Sequence, residues 1–127
     1  MLLNDFFTVI RSTAENQEIT AFIMIRPGHP VFDGHFPGQP VVPGVCMVQT
    51  VKELLEQQQG KKLFLRESSQ MKFLQLLAPS ETDELQVSIP FQPADKEGLL
   101  RISATIRKQD ALIFKMKGVF SEESTSI

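Results

Sequence analysis

Apolar and polar residues alternate along most of this chain with a period of two, interrupted once by helical spacing. Ile19, Ala21, Ile23 and Ile25 alternate with Thr20, Phe22, Met24 and Arg26, the period of a half-buried strand. Residues 6–10 are a short apolar opening that predicts a first strand before it. Pro27-Gly28 ends the second strand, and a proline- and glycine-rich loop runs over 27–44. Val45, Val48, Val51 and Leu55 then recur at helical spacing, with Met47 and Leu54 beside them, so a helix is expected from about Pro43 to Gln59. Pro43 suits a first turn, where its missing N–H is not needed. Gly60 ends the helix, and Lys61-Lys62 lie just past it, favourable to the C-terminal end of the helix dipole.

Beyond the helix only strand patterns remain. Leu63, Leu65, Met71, Phe73, Gln75 and Leu77 alternate, with Ser68-Ser69 a bulge or bend. Ala78-Pro79-Ser80 breaks the run. Leu85, Val87, Ile89 and Phe91 form another alternating set, and Leu100, Ile102, Ala104 and Ile106 a further one. Gln109-Asp110 reads as a hairpin turn, after which Leu112, Phe114, Met116 and Phe120 share one face. The polar tail 121–126 is expected to fray. Two strands, one long amphipathic helix and four strands predict a single α+β domain over 1–127. An antiparallel sheet wraps around the central helix, and its open edges invite pairing with a second copy.

Composition narrows the function classes. Hydrophobic residues are 42% and charged residues 22% of the chain, with a net charge of −2, which gives no reason to expect nucleic acid as a partner. No apolar run approaches the length of a membrane span, and no basic stretch precedes the first apolar residues as in a secretory signal. Cys46 is the one cysteine, which fits a reducing cytoplasm. One cysteine and two histidines without ligand spacing argue against zinc, and no glycine-rich phosphate loop is present. No cofactor is expected. Ten Phe without Trp or Tyr supply aromatic surface that lacks a hydrogen-bonding handle, which suits a core or an apolar tunnel.

The chemistry concentrates in 35–45. Rigid prolines and permissive glycines make this a shaped loop that delivers His35 to a fixed place and then opens a helix. His29, before Pro30, is read as a residue that positions the turn. Cys46 is read as a small buried hydrophobe, and a Cys/His nucleophile pair is the weaker alternative.

The run Gly34-His-Phe-Pro-Gly-Gln-Pro-Val-Val-Pro-Gly-Val45 resembles the signature of the β-hydroxyacyl-(acyl-carrier-protein) dehydratases, which have the hot-dog fold: G-H-F-P-G-x-P-x-x-P-G-V/C, with an acidic residue fourteen positions after the histidine. Lys72-Phe73 and Ala78-Pro79 loosely resemble a later family segment. The resemblance implies that His35 is the base that takes the α-proton of a 3-hydroxyacyl thioester, and that the Gly44 N–H polarises the thioester carbonyl. It implies acyl carrier protein as the substrate's carrier and a dimer, because the acid comes from the opposite subunit's helix. Phe36, Pro43, Val45 and Phe73 become candidates for contact with the acyl group, although Phe32, Phe36 and Phe73 taken singly read as core. Lys61, Lys62, Arg66 and Lys72 could dock an acidic carrier.

The departure is Gln49, which stands where the family has its acid. An amide holds a hydroxyl or a water but gives up no proton. Four residues on, where many members have Gln, this chain has Glu53, one helical turn away on the same face. Glu53 could supply the proton that Gln49 cannot; the plainer reading puts it on a solvated face with Lys52 and Glu56. Gln49 also raises two alternatives to a weakened dehydratase: a subunit completed by a partner in a heterodimer, or an acyl-thioesterase using Glu53.

Overall fold

The computed structural model describes residues 1–33, 40–80, 82–93 and 98–122. His35 and Phe36 lie outside the described residues. The elements are β1 (Phe7–Glu15), β2 (Glu18–Ile25), one 3-10 turn (Pro30–Phe32), α1 (Gly44–Gln59), β3 (Leu63–Phe73), β4 (Leu85–Pro93), β5 (Leu99–Lys108) and β6 (Ala111–Glu122). The strands form one antiparallel sheet in the order β1-β2-β4-β5-β6-β3. The segment carrying α1 therefore crosses from β2 to the far edge, and β4 returns to pair with β2.

The alternation has the expected consequence. Ile19, Ala21 and Ile23 of β2, Leu85, Val87 and Ile89 of β4, and Ile102, Ala104 and Ile106 of β5 are all buried in one core with the inner residues of the helix. Strand β1 extends beyond the apolar opening to Glu15. Its polar half is held by the ladder to β2 and by a tight turn at Asn16 and Gln17 with φ of 52° and 61°. Positive φ at both turn residues matches the twist of a two-residue hairpin. The Gln109-Asp110 turn joins β5 to β6 as expected.

The Ser68–Gln70 register shift in β3 is the expected bulge, and a second shift lies between Leu65 and Glu67. Opposite them, a side chain on Gly118 would come within 2.8 Å of the Glu67 carbonyl oxygen. The bulges bring β3 too close to β6 for any residue with a Cβ.

The helix ends as predicted, with Gly60 in the left-handed region at φ 72° and its N–H on the Glu56 carbonyl. Its inner face is Cys46, Met47, Thr50, Val51, Leu54 and Leu55. Val45 is not part of it and is 74% exposed. Three-residue steps lag the helical period by about 60° each, so Val45 lies about 120° around the helix from Val51. No helix among the described residues is long and apolar enough to cross a membrane.

Candidate active site

Pro43 enters α1 with extended backbone, φ −65° and ψ 145°, and no described side chain caps the helix. Its carbonyl accepts from the N–H groups of Cys46 and Met47 at 3.0 and 3.3 Å. The start of the helix is thus an end with positive partial charge that faces its surroundings through backbone alone. The approach is fixed by Val42, whose N–H donates to the Leu77 carbonyl at 2.7 Å.

Gly44 is the first helical residue for a steric reason. A Cβ there would lie 2.6 Å from Cε1 of Phe73. The Phe73 ring, tilted on buried Phe114 with centroids 5.0 Å apart, lies directly over the helix start. Phe73 is 51% exposed, so it is a wall and not the core residue that single phenylalanines were expected to be; Phe32 is core. An open groove of about 330 Å³ runs here, lined by Val42, Pro43, Gly44, Met47, Phe73 and Leu76 among others. Three of the expected residues, Pro43, Gly44 and Phe73, therefore come together; Val45 faces away. A larger hollow, about 410 Å³, opens on the other face of the sheet beside Arg101 and Lys117, remote from the helix start.

Glu53 is a correction. It is only 3% exposed and does not sit on a solvated face with Lys52 and Glu56. The N-terminal segment folds over it. The Leu2 N–H donates to both carboxylate oxygens at 2.9 and 2.8 Å, and the Leu3 N–H donates to Oε1 at 2.8 Å. Gln49 Nε2 donates to Oε2 at 2.8 Å. Positions 49 and 53 share a face as expected, the bond between their side chains is a finding of the structure, and the other partners of Glu53 are two backbone amides some fifty residues away. The available signal was an acidic residue next to Thr50, Val51 and Leu54, all on the inner side.

His29 does position its turn: Nδ1 accepts from the Val31 N–H at 3.0 Å, which leaves Nε2 to donate to Asp5 at 3.1 Å. Cys46 is buried, and burial pushes its thiol above the ordinary value. That matches a packing residue better than a nucleophile. Of the basic residues expected to face a carrier, Lys61 pairs with Glu122, and Arg66 donates to Ser121 Oγ. Lys62 and Lys72 are exposed. No group of three potential metal ligands occurs among the described residues.

One helix clasped by a six-stranded antiparallel sheet is the hot-dog architecture. A family model for the ApeI dehydratase, ApeI-like, matches residues 11–118, and the chain belongs to this family of dehydratases. It is 29% identical over 110 residues to the 3-hydroxyacyl-(acyl-carrier-protein) dehydratase FabZ of Rickettsia massiliae, covering 80% of this chain and 74% of that one. The enzyme of the same name from Rickettsia bellii is 30% identical over 100 residues, covering 72% and 67%. Among solved structures, the dehydratase heterocomplex ApeI:P from Xenorhabdus doucetiae superposes with a TM-score of 0.72 at 22% identity over 91% of this chain and 97% of that one.

Proposed function

We propose that the protein removes water from a 3-hydroxyacyl thioester carried on acyl carrier protein, giving the trans-2-enoyl thioester in fatty-acid or related lipid synthesis. The observation that carries this reading is the apolar groove that ends at a helix start opened by Gly44. An acyl chain lying against Pro43 and Phe73 brings its thioester carbonyl to the first-turn N–H groups, where the developing enolate oxygen is stabilised by donors already in place. In the sequence His35 stands nine residues before Gly44, the first residue of this helix. His35 takes the α-proton, and its electron pair passes through the enolate to form the C2–C3 double bond as the C3–O bond breaks. The proton held on His35 returns to the departing hydroxyl, which leaves as water. The base is restored, and because one imidazole serves both steps the α-proton and the hydroxyl leave from the same face of the substrate, a syn elimination.

Gln49 lies on the outer side of α1 with Val45, away from the groove of its own chain. The site is completed by a second subunit, whose groove receives Gln49. The edge strand β3 and its continuation carry exposed Met71, Phe73, Leu74 and Leu76, an apolar edge suited to such pairing. Lys62 and Lys72 border the same edge and suit an acidic carrier. The lone buried cysteine is in keeping with a cytoplasmic setting.

The amide at position 49 favours one further reading: a heterodimer in which a partner contributes the carboxylic acid to this chain's His35. Glu53, with both oxygens bound to N–H groups, is not presented to a thioester, which removes the carboxylate that hydrolysis was expected to use.

The test is enoyl formation from a 3-hydroxyacyl carrier-protein thioester, with native mass of the chain alone and mixed with candidate partner subunits. Turnover by the chain alone supports the homodimer. Turnover only in a mixture of defined heterodimer mass supports the second reading, and silence in both refutes the dehydratase assignment.

A further inference from the structure

We propose that Glu53 is a positioning residue for Gln49, holding its amide with Nε2 turned inward so that Oε1 is the atom offered to the substrate's 3-hydroxyl. The proposal rests on the dehydratase reading and adds to it which atom of this chain meets the hydroxyl and what fixes that atom.

The argument is one of hydrogen-bond capacity. The Glu53 carboxylate accepts from Leu2 N–H on both oxygens, from Leu3 N–H on Oε1 and from Gln49 Nε2 on Oε2, all between 2.8 and 2.9 Å. It is 3% exposed, so no water exchanges for these donors without opening the structure. Backbone N–H groups only donate, so Leu2 and Leu3 require an acceptor at this point. The fourth bond then decides how the Gln49 amide is turned. Its nitrogen must face Oε2, and its carbonyl oxygen, with the second amide hydrogen, faces outward from a half-buried place on the helix. Gln49 therefore accepts the O–H of a bound 3-hydroxyacyl group. The proton that leaves with the hydroxyl comes from His35.

The same geometry says what would turn position 49 into an acid. In Gln49→Glu alone, a second carboxylate lies against Oε2 where an N–H donor stood, and the new acid's proton, if kept, is held by Glu53. In the exchange Gln49→Glu with Glu53→Gln, Leu2, Leu3 and position 49 each keep one bond, and only the second acceptor of the Leu2 N–H is given up. Oε1 of the new amide accepts from Leu2 and Leu3, as Glu53 Oε1 already does, and its Nε2 takes the place of Oε2 and donates to the new carboxyl. The carboxyl's second oxygen then faces outward and can carry the proton.

Two measurements on the full chain test this. The first is the side-chain amide signal of Gln49 in the 15N-labelled protein, assigned by its loss in Gln49→Glu. It is expected with one hydrogen shifted away from the free-amide positions and slow to exchange, and with both hydrogens at the free-amide positions and exchanging fast in Glu53→Ala. The second is dehydration kinetics. Glu53→Ala is expected to lower kcat about 10–100-fold through misplacement of Gln49, with a smaller change in KM. Gln49→Glu alone is expected to give no gain, and the double exchange to raise kcat at least about 10-fold over the native chain. A free Gln49 amide in the native protein overturns the proposal, as does a single Gln49→Glu that matches the double exchange. A held amide with no turnover in the native and doubly exchanged chains, alone or with partner subunits, instead overturns the dehydratase reading and leaves the bond as a fastening of the N-terminal segment.

Discussion

Met47, Val51 and Leu54 lie along one side of α1, and Val45, Gln49 and Glu53 along the other. The first side is apolar and closed over by the sheet, with Val51 and Leu55 fully buried. Packing there is non-directional and depends on volume, so any change reads out as stability. The second side passes from an exposed valine through a half-buried amide to a carboxylate buried under the N-terminal segment. It is governed by direction: who donates, who accepts, and which atom is left over. A helix with two such sides can hold a reactive constellation on one of them while the other carries the packing of the core.

The comparison breaks first, and by the largest margin, at the site end. His35→Ala is expected to lower turnover by about 10²–10⁴-fold, the usual worth of a placed general base, with an unchanged urea unfolding midpoint. A variant that lost stability in step with activity would place His35 in the scaffold. The inner side predicts the reverse. Leu55→Ala should cost about 2–5 kcal/mol of unfolding free energy, since its side chain is fully buried and the cavity collapses only in part. Its KM and kcat, measured well below the unfolding transition, should change less than about threefold. Gly44→Ala lies between these. The new methyl meets the Phe73 ring at 2.6 Å, and because that ring is half exposed it can swing into the groove. The expectation is a rise in KM of about 10-fold with stability within about 1 kcal/mol of native, checked by steady-state kinetics beside urea unfolding.

How much of this was legible depended on which force was at work. Burial by alternation is written into residue order, so β2, β4 and β5 read directly from Ile19–Ile25, Leu85–Ile89 and Leu100–Ile106, and the Ser68 bulge from two small polar residues in an apolar run. The same logic misassigned Val45, because steps of three alone do not hold one side of a 3.6-residue helix. The polar half of β1 was not legible, since Arg11–Glu15 owe their strand to pairing with β2 and not to an apolar face. In the site, the motif pointed to Gly44 and to positions 49 and 53 on one helix face, but not to the bond between those two or to Phe73 as the reason for the glycine. The burial of Glu53 was signalled only by its inner-side neighbours Thr50, Val51 and Leu54, and its partners could not be read, because they are the main-chain N–H groups of Leu2 and Leu3 and backbone donors are the same at every residue.

The finest test uses neighbours in sequence that fall on opposite sides. Cys46 is buried and its thiol is pushed up by loss of solvent. The folded thiol therefore keeps its proton to higher pH than the unfolded one. The stability this confers is complete below the ordinary thiol range and is lost as pH rises through the folded value. At neutral pH, labelling of Cys46 by a thiol reagent should be many times slower in the folded than in the urea-unfolded chain, and Cys46→Ser should cost about 1–3 kcal/mol for a hydroxyl placed among apolar neighbours. Val45, one residue earlier and 74% exposed, should tolerate Val45→Ser within about 0.5 kcal/mol in dilute solution. If a second subunit covers this side, the substitution weakens association instead, and the unfolding midpoint of Val45→Ser should fall below native only at concentrations where the native chain is paired. A midpoint depressed equally at all concentrations would put Val45 in the core of its own chain and erase the division between the two sides at this end of the helix.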